Sequence, residues 1–183
     1  MSIGRRFLLG FVGILALFAA NQAVYTITAM LRSNTMKTLD RALSRQVALA
    51  SLGQEIDNLN KQITVETQIL DPTTQVTDEA RAGVNGALAR IRGRALEFKG
   101  LSDANDPKQV AAIDELTEVA GKLTDAWRTF YQYRSADQGI AMASLITADP
   151  LAHRLLGELI PQMQASEKRR IAEAQADFKN VEK

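Results

Sequence analysis

The residues best placed to do chemistry in this sequence are polar side chains that interrupt apolar stripes of helical period. Gln46 falls between Leu43 and Ala50, and Glu66 falls between Ile63 and Leu70. Gln164 and Glu167 interrupt a fourth stripe just after Pro161. Positions at that spacing face a core, and a buried polar group is costly unless it is paired. Two kinds of chemistry fit. The four could form interhelical or interprotomer polar layers, or they could supply the polar part of a small-molecule pocket between the first and fourth helices. Gln46, Glu66 and Gln164 are therefore candidate ligand-binding residues, and Arg154 is a fourth. Arg154, with Gln75, marks the helix ends where a pocket would be sought next.

Catalysis has no comparable constellation. No motif for phosphate binding, metalloprotease, EF-hand or nucleophile-elbow chemistry is present, so neither an enzyme nor a cofactor is expected. The chain has no cysteine, which excludes disulfides and thiolate metal sites. Its one histidine, His153, reads as a solvent-facing side chain in preference to a ligand or pH switch. Trp127, Phe130, Tyr131 and Tyr133 could box a ligand, but at helical spacing they read first as core. Lys168, Arg169 and Arg170 read as a solvated face, with lipid headgroups as the alternative.

An uncharged run from Phe7 to Leu31 precedes all of this. As a helix it would extend roughly 37 Å, enough to cross a bilayer core of about 30 Å with some tilt. A cleaved signal peptide is the competing reading, with Arg5 and Arg6 as its charged region. The residues after Ala20 offer no convincing small-x-small cleavage site, which favours an uncleaved anchor. Arg5 and Arg6 place residues 1–6 in the cytoplasm and the bulk of the chain outside it. Of 22 Lys+Arg, those two precede the run, which leaves the rest nearly neutral against 21 Asp+Glu. Nucleic acid needs a basic stripe and is not an expected partner.

Three Asp-Pro pairs punctuate the remainder: Asp71-Pro72, Asp106-Pro107 and Asp149-Pro150. Asp caps helix starts and Pro is tolerated at the first helical position, so each pair predicts a start. The resulting segments are 32–70, 73–100, 107–147 and 150–183, with Asp78 as an alternative cap for the second. The first carries Met36, Leu39, Leu43, Leu52, Ile56, Leu59, Ile63 and Leu70. The second carries Val84, Leu88, Ile91, Ala95 and Phe98, a heptad seam. The third carries Val110, Ile113, Leu116, Ala120, Leu123, Trp127 and Phe130. The fourth carries Leu155, Leu159 and Met163, then Ile171, Ala174, Phe178 and Val181. No stretch alternates long enough for a strand. The predicted fold is all-α: a transmembrane helix over 7–31 continuing into an antiparallel four-helix bundle over 32–183. A basic second helix beside an acidic third supports that order. Gly86, Gly93 and Gly100, opposite the second seam, make a weak helix or a surface for close approach of a partner.

From Trp127 onward the pattern resembles a known family. Trp127, Tyr131 and Tyr133, then Ala141 to Ala148, Asp149 with Ala152, and Leu155, Leu156 and Pro161 carry the resemblance. It is to the four-helix-bundle ligand-binding domain of bacterial methyl-accepting chemotaxis receptors, shared with many sensor kinases and cyclases. The resemblance implies a periplasmic sensor in the inner membrane, homodimeric through its first and fourth helices. It also implies a small-molecule ligand or a periplasmic binding protein, and signalling by helix displacement. Amino-acid-binding members hold a carboxylate with arginines along the first helix, and no Arg lies between Gln46 and Ala80 here, so that pocket is not carried over. In the family the fourth helix continues into a second membrane helix. The expected rising helices exceed the falling ones by roughly 27 Å, so the chain reads as cut before its return to the membrane. A complete single-pass adaptor or scaffold without a ligand is the rival.

Overall fold

In the computed structural model of the chain, residues 3–69, 77–102 and 107–181 are described, the side chains of 3–10, 12, 13, 16, 69, 177, 178, 180 and 181 excepted. The elements are α1 (Ile3–Ile69), α2 (Asp78–Gly100), α3 (Pro107–Tyr133), α4 (Gln138–Arg154), a π turn (Leu155–Leu159) and α5 (Ile160–Val181). The backbone stays helical from α4 through the π turn into α5, so these three pieces make up the expected fourth helix. The described residues contain no strand, and the all-α expectation holds. They divide into two compact units, one of residues 41–170 and one of residues 1–40 with 171–183.

Within the 41–170 unit the helices alternate in direction, as side-chain pairings show. Glu55 of α1 meets Arg90 of α2, while the earlier Arg45 reaches the later Leu101 carbonyl. Lys99 pairs with Asp114 and the earlier Arg92 with the later Asp125, which sets α2 against α3. Arg45 pairs with Glu167, and a methyl group on Gly53 would touch Ile160 at 3.6 Å, which sets α1 against α5. The basic α2 and acidic α3 are thus neighbours, as their charges suggested. Short hydrophobic repeats build the core: every residue of the α2 seam is buried. So are Ile113, Leu116, Ala120, Leu123, Trp127 and Phe130 of α3.

Two expectations need correction. Asp149-Pro150 does not start a helix. The chain turns after Tyr133, and Asp137 caps α4 by accepting from the Ile140 amide at 3.1 Å. Pro150 lies inside α4 on an exposed face, where water can reach the carbonyl one turn back that its missing N–H leaves open. The third segment is therefore shorter and the fourth longer than expected, and the length deficit derived from them disappears. The second correction concerns α1. Leu43 is exposed and Leu39 only half-buried, whereas Ala42, Arg45, Ala48 and Leu49 face the core ahead of Leu52, Ile56, Leu59 and Ile63. Two alanines and an arginine carry that face, so a search for large apolar residues picks the wrong one.

The third helix starts where expected, whereas the second is capped by the residue before Asp78 and not by Asp78 itself. Pro107 opens α3, and the Thr77 side chain caps α2 by accepting from Ala80 N–H, with Asp78 the first helical residue. Asp71-Pro72, Leu70, Gln75 and Asp106 lie outside the described residues. Among the described residues nothing lies within 4 Å of a methyl group placed on Gly93 or Gly100.

The unit of residues 1–40 and 171–183 is helical. Along α1, Phe11, Ile14, Leu15, Leu17, Phe18, Val24, Tyr25, Ile27, Met30 and Leu31 are all exposed, on every side of the helix. Ala174 of α5 is buried, and the side chains of Phe178 and Val181 lie outside those described. Among the described residues no helix is long and apolar enough to cross a membrane. Seven side chains of the Phe7–Leu31 run (7–10, 12, 13 and 16) fall outside them.

Candidate functional site

Two polar layers cross the 41–170 unit. At the first, Arg45 Nε donates to Glu167 Oε2 at 2.9 Å with both side chains almost fully buried, 3% and 2% exposed. Arg45 Nη1 also donates to the Leu101 carbonyl at 3.2 Å, and Gln109 Nε2 to Glu167 Oε1 at 3.3 Å. One ion pair therefore joins α1, the end of α2, the start of α3 and α5. A cleft of about 240 Å³ adjoins it, with Phe98, Ile113, Leu159 and Met163 among its walls.

The second layer lies at the other end of this unit. Arg134 follows the last residue of α3 directly, and its own amide still bonds back to the Phe130 carbonyl at 2.9 Å. The turn onto the Asp137 cap holds it there. From that position Arg134 Nη1 donates to Glu66 Oε2 at 2.7 Å, and Gln62 Nε2 donates to Glu66 Oε1 at 2.8 Å. The guanidinium carbon stands 5.9 Å above the Phe130 ring, a favourable cation–π placement. Phe130 in turn meets Tyr131 edge to face at 5.1 Å. Tyr131 is buried, and its hydroxyl has no hydrogen-bond partner among the described residues. Burial pushes that phenol's ionisation up, and the neighbouring Glu66 carboxylate pushes it further. Beside this layer a cleft of about 220 Å³ opens between α1, α3 and α4, lined by Glu66, Thr67, Phe130, Arg134, Gln138 and Met142.

The sequence-level candidates are thus separated. Glu66 sits in the second layer and lines its cleft. Gln46 is half-buried beside the residue that does enter the core, Arg45. Gln164 is half-buried and makes no hydrogen bond among the described residues, whereas its neighbour Glu167 carries the first layer. Arg154 is exposed and pairs with Glu115 across α3 and α4, and His153 is exposed. Trp127, Phe130 and Tyr131 are core. Sequence reasoning missed Arg45 and Arg134. Counting back from Leu52 in steps of three and four would have reached Leu49, Arg45 and Ala42. Arg134 was hidden because the Asp149-Pro150 rule put it inside the third helix.

Among the described residues no cluster of His, Asp and Glu could hold a metal ion. The arrangement suits binding: buried hydrogen-bond donors and one carboxylate beside an aromatic wall. No known protein family, curated protein or solved structure matches the chain.

Proposed function

We propose that this chain is the membrane-anchored input module of a bacterial signalling receptor. Phe7 to Leu31 cross the inner membrane, and the 41–170 bundle lies outside the cytoplasm. The reading rests on one observation above the others. The large apolar side chains described between Phe11 and Leu31 are exposed around the whole circumference of α1, from Phe11 at 62% to Leu17 at 73% and Tyr25 at 74%. A helix apolar on all sides needs an apolar surrounding, and lipid supplies one. Arg5 and Arg6 set the orientation. The helix that contains this run also carries the first core stripe of the bundle.

The resemblance to chemotaxis-receptor sensor domains supplies the mode. A ligand or a periplasmic binding protein shifts the last helix by about 1–2 Å, the scale of known switching displacements. Pro161 and the π turn before it lie on that helix, and π turns occur often at functional sites. Dimerisation through α1 and the last helix belongs to this proposal.

The test is fractionation of full-length chain expressed in bacteria, with carbonate washing, intact mass, and protease added to intact spheroplasts. A membrane-retained species that keeps residues 7–31, and whose bundle is cut from the outside, is expected. A soluble species beginning near residues 20–24 would sink the anchor and leave a secreted bundle.

A further inference from the structure

The cleft at the Glu66 layer has hydrogen-bond donors that its protein acceptors do not use. Arg134 carries five N–H donors on its side chain. One is engaged, Nη1 to Glu66, and the others make no hydrogen bond among the described residues, although only 8% of the residue is exposed. On the acceptor side, Glu66 takes Gln62 on one oxygen and Arg134 on the other. Arg134 lines the cleft, so the guanidinium N–H groups that Glu66 does not take are open to an acceptor from outside.

Thr67 and Gln138 add polar side chains to the cleft, and its remaining wall is apolar. Phe130, Ala141 and Met142 line it, and Met142 is 47% exposed at its rim. Its volume of about 220 Å³ admits a molecule of modest size. We infer that this cleft, formed by α1, α3 and α4 of a single protomer, binds a small amphipathic carboxylate. The carboxylate oxygens accept from the unused arginine donors, and an aliphatic or aromatic body lies against Phe130 and Met142. A guanidinium can bridge two carboxylates because its donors fan out in one plane. An organic cation would meet Arg134 across the same space and is disfavoured. The site is complete within one copy of the chain, whereas the resemblance to chemotaxis receptors points to a pocket between two. The inference rests on the sensory reading only for its purpose, since binding does not require the anchor.

Calorimetric titration of the full chain with 3-phenylpropionate at pH 7, beside 3-phenylpropanol and 3-phenylpropylamine, tests it. The carboxylate is expected to bind with a Kd of roughly 1 mM or tighter, and about tenfold or more ahead of the alcohol and the amine. Arg134→Gln is expected to weaken it about tenfold or more. Because that change leaves Glu66 without its cation and can impair folding, Met142→Trp provides a second variant. It fills the rim without touching the ion pair, and is expected to abolish binding with the circular dichroism unchanged. No saturable binding up to about 10 mM, the amine binding tightest, or undiminished binding in Met142→Trp would each overturn the inference. Membrane fractionation is read separately, so a failure here and a failure of the anchor are distinguishable.

Discussion

The Arg45–Glu167 pair allows a quantitative test of how dry the bundle interior is. Both side chains are 2–3% exposed and meet at 2.9 Å. Removing one partner takes this ion pair from the other buried charge, for which a cost of about 3–5 kcal/mol is typical. Arg45→Met and Glu167→Met should therefore each lose roughly that much. The double variant removes both charges of the pair together. Two buried methionines of similar length then recover packing, and replacement of a buried pair by apolar groups is often neutral or stabilising. The Leu101 carbonyl, which Arg45 also served at 3.2 Å, and the Gln109 amide at 3.3 Å lose a partner as well. Leu101 and Gln109 are half-buried, so water can replace much of that bonding. The double variant is expected within about 2 kcal/mol of the parent, and the two changes should be strongly non-additive. Urea unfolding of the full chain followed by tryptophan fluorescence measures it. Trp127 is the single tryptophan and lies in the bundle core, so the signal reports this unit. Additive losses, or single losses below about 1 kcal/mol, would show that the pair is solvated and refute the reasoning.

Tyr131→Phe removes a buried hydroxyl without a described partner, and should leave stability unchanged or raise it by about 1 kcal/mol. In the parent, the folded phenol resists ionisation while the unfolded one loses its proton near pH 10, so stability is full below about pH 10 and falls above it. A melting series from pH 8 to 11 should show a shallower alkaline loss in the variant. Glu66→Leu would have been stabilising for an isolated polar layer, but it leaves Arg134 unpaired. Fluorescence-detected unfolding should show a loss of about 1–3 kcal/mol, less than for full burial because the Glu66 side chain is 19% exposed. Gly93→Ala meets nothing within 4 Å and should raise the unfolding midpoint through a gain of about 0.5–1 kcal/mol. Pro161→Ala should change stability by less than about 1 kcal/mol if the π turn has already relieved the proline; a gain near 3 kcal/mol would show that it has not.

Much of the bundle could be read from local chemistry alone. The α2 seam is the clearest case, because large apolar residues at strict heptad spacing admit one buried face. The α3 stripe from Ile113 to Phe130 was equally clear. Where the face is carried by small or charged residues, as at Ala42, Arg45 and Ala48, the sequence signal vanishes although the packing does not. The Asp-Pro rule worked at Pro107 and failed at Pro150, since a proline on the solvent side of a helix costs less than one facing the core. Half of each polar layer was visible. Glu66 and Glu167 stood out as acids within apolar stripes. Their arginines did not, because an arginine between alanines or beyond a tyrosine looks like surface until a partner appears opposite it.

The π turn follows from the spacing of the residues around it. Leu155, Leu159, Met163 and Glu167 are all buried and recur at every fourth position. On a regular helix, steps of four drift by about 40° each, so Glu167 would stand roughly 120° from Leu155 and point away from Arg45. The π turn from Leu155 to Leu159 absorbs most of that drift, with the Ile160 amide bonding back five residues to the Leu155 carbonyl. Pro161 comes at the one place where this is least costly. It has no N–H to donate, and its ring would crowd the Gly157 carbonyl in a tight α turn. The wide turn gives that carbonyl room. The sequence therefore specifies an irregularity at a fixed position, and Glu167 reaches Arg45 because of it. A displacement of α4 in the proposed receptor would arrive first at this turn, the one described segment of the last helix with a non-α hydrogen-bonding register. Beyond it lies the almost fully buried ion pair that ties α5 to α1, and α1 leads back to the apolar run.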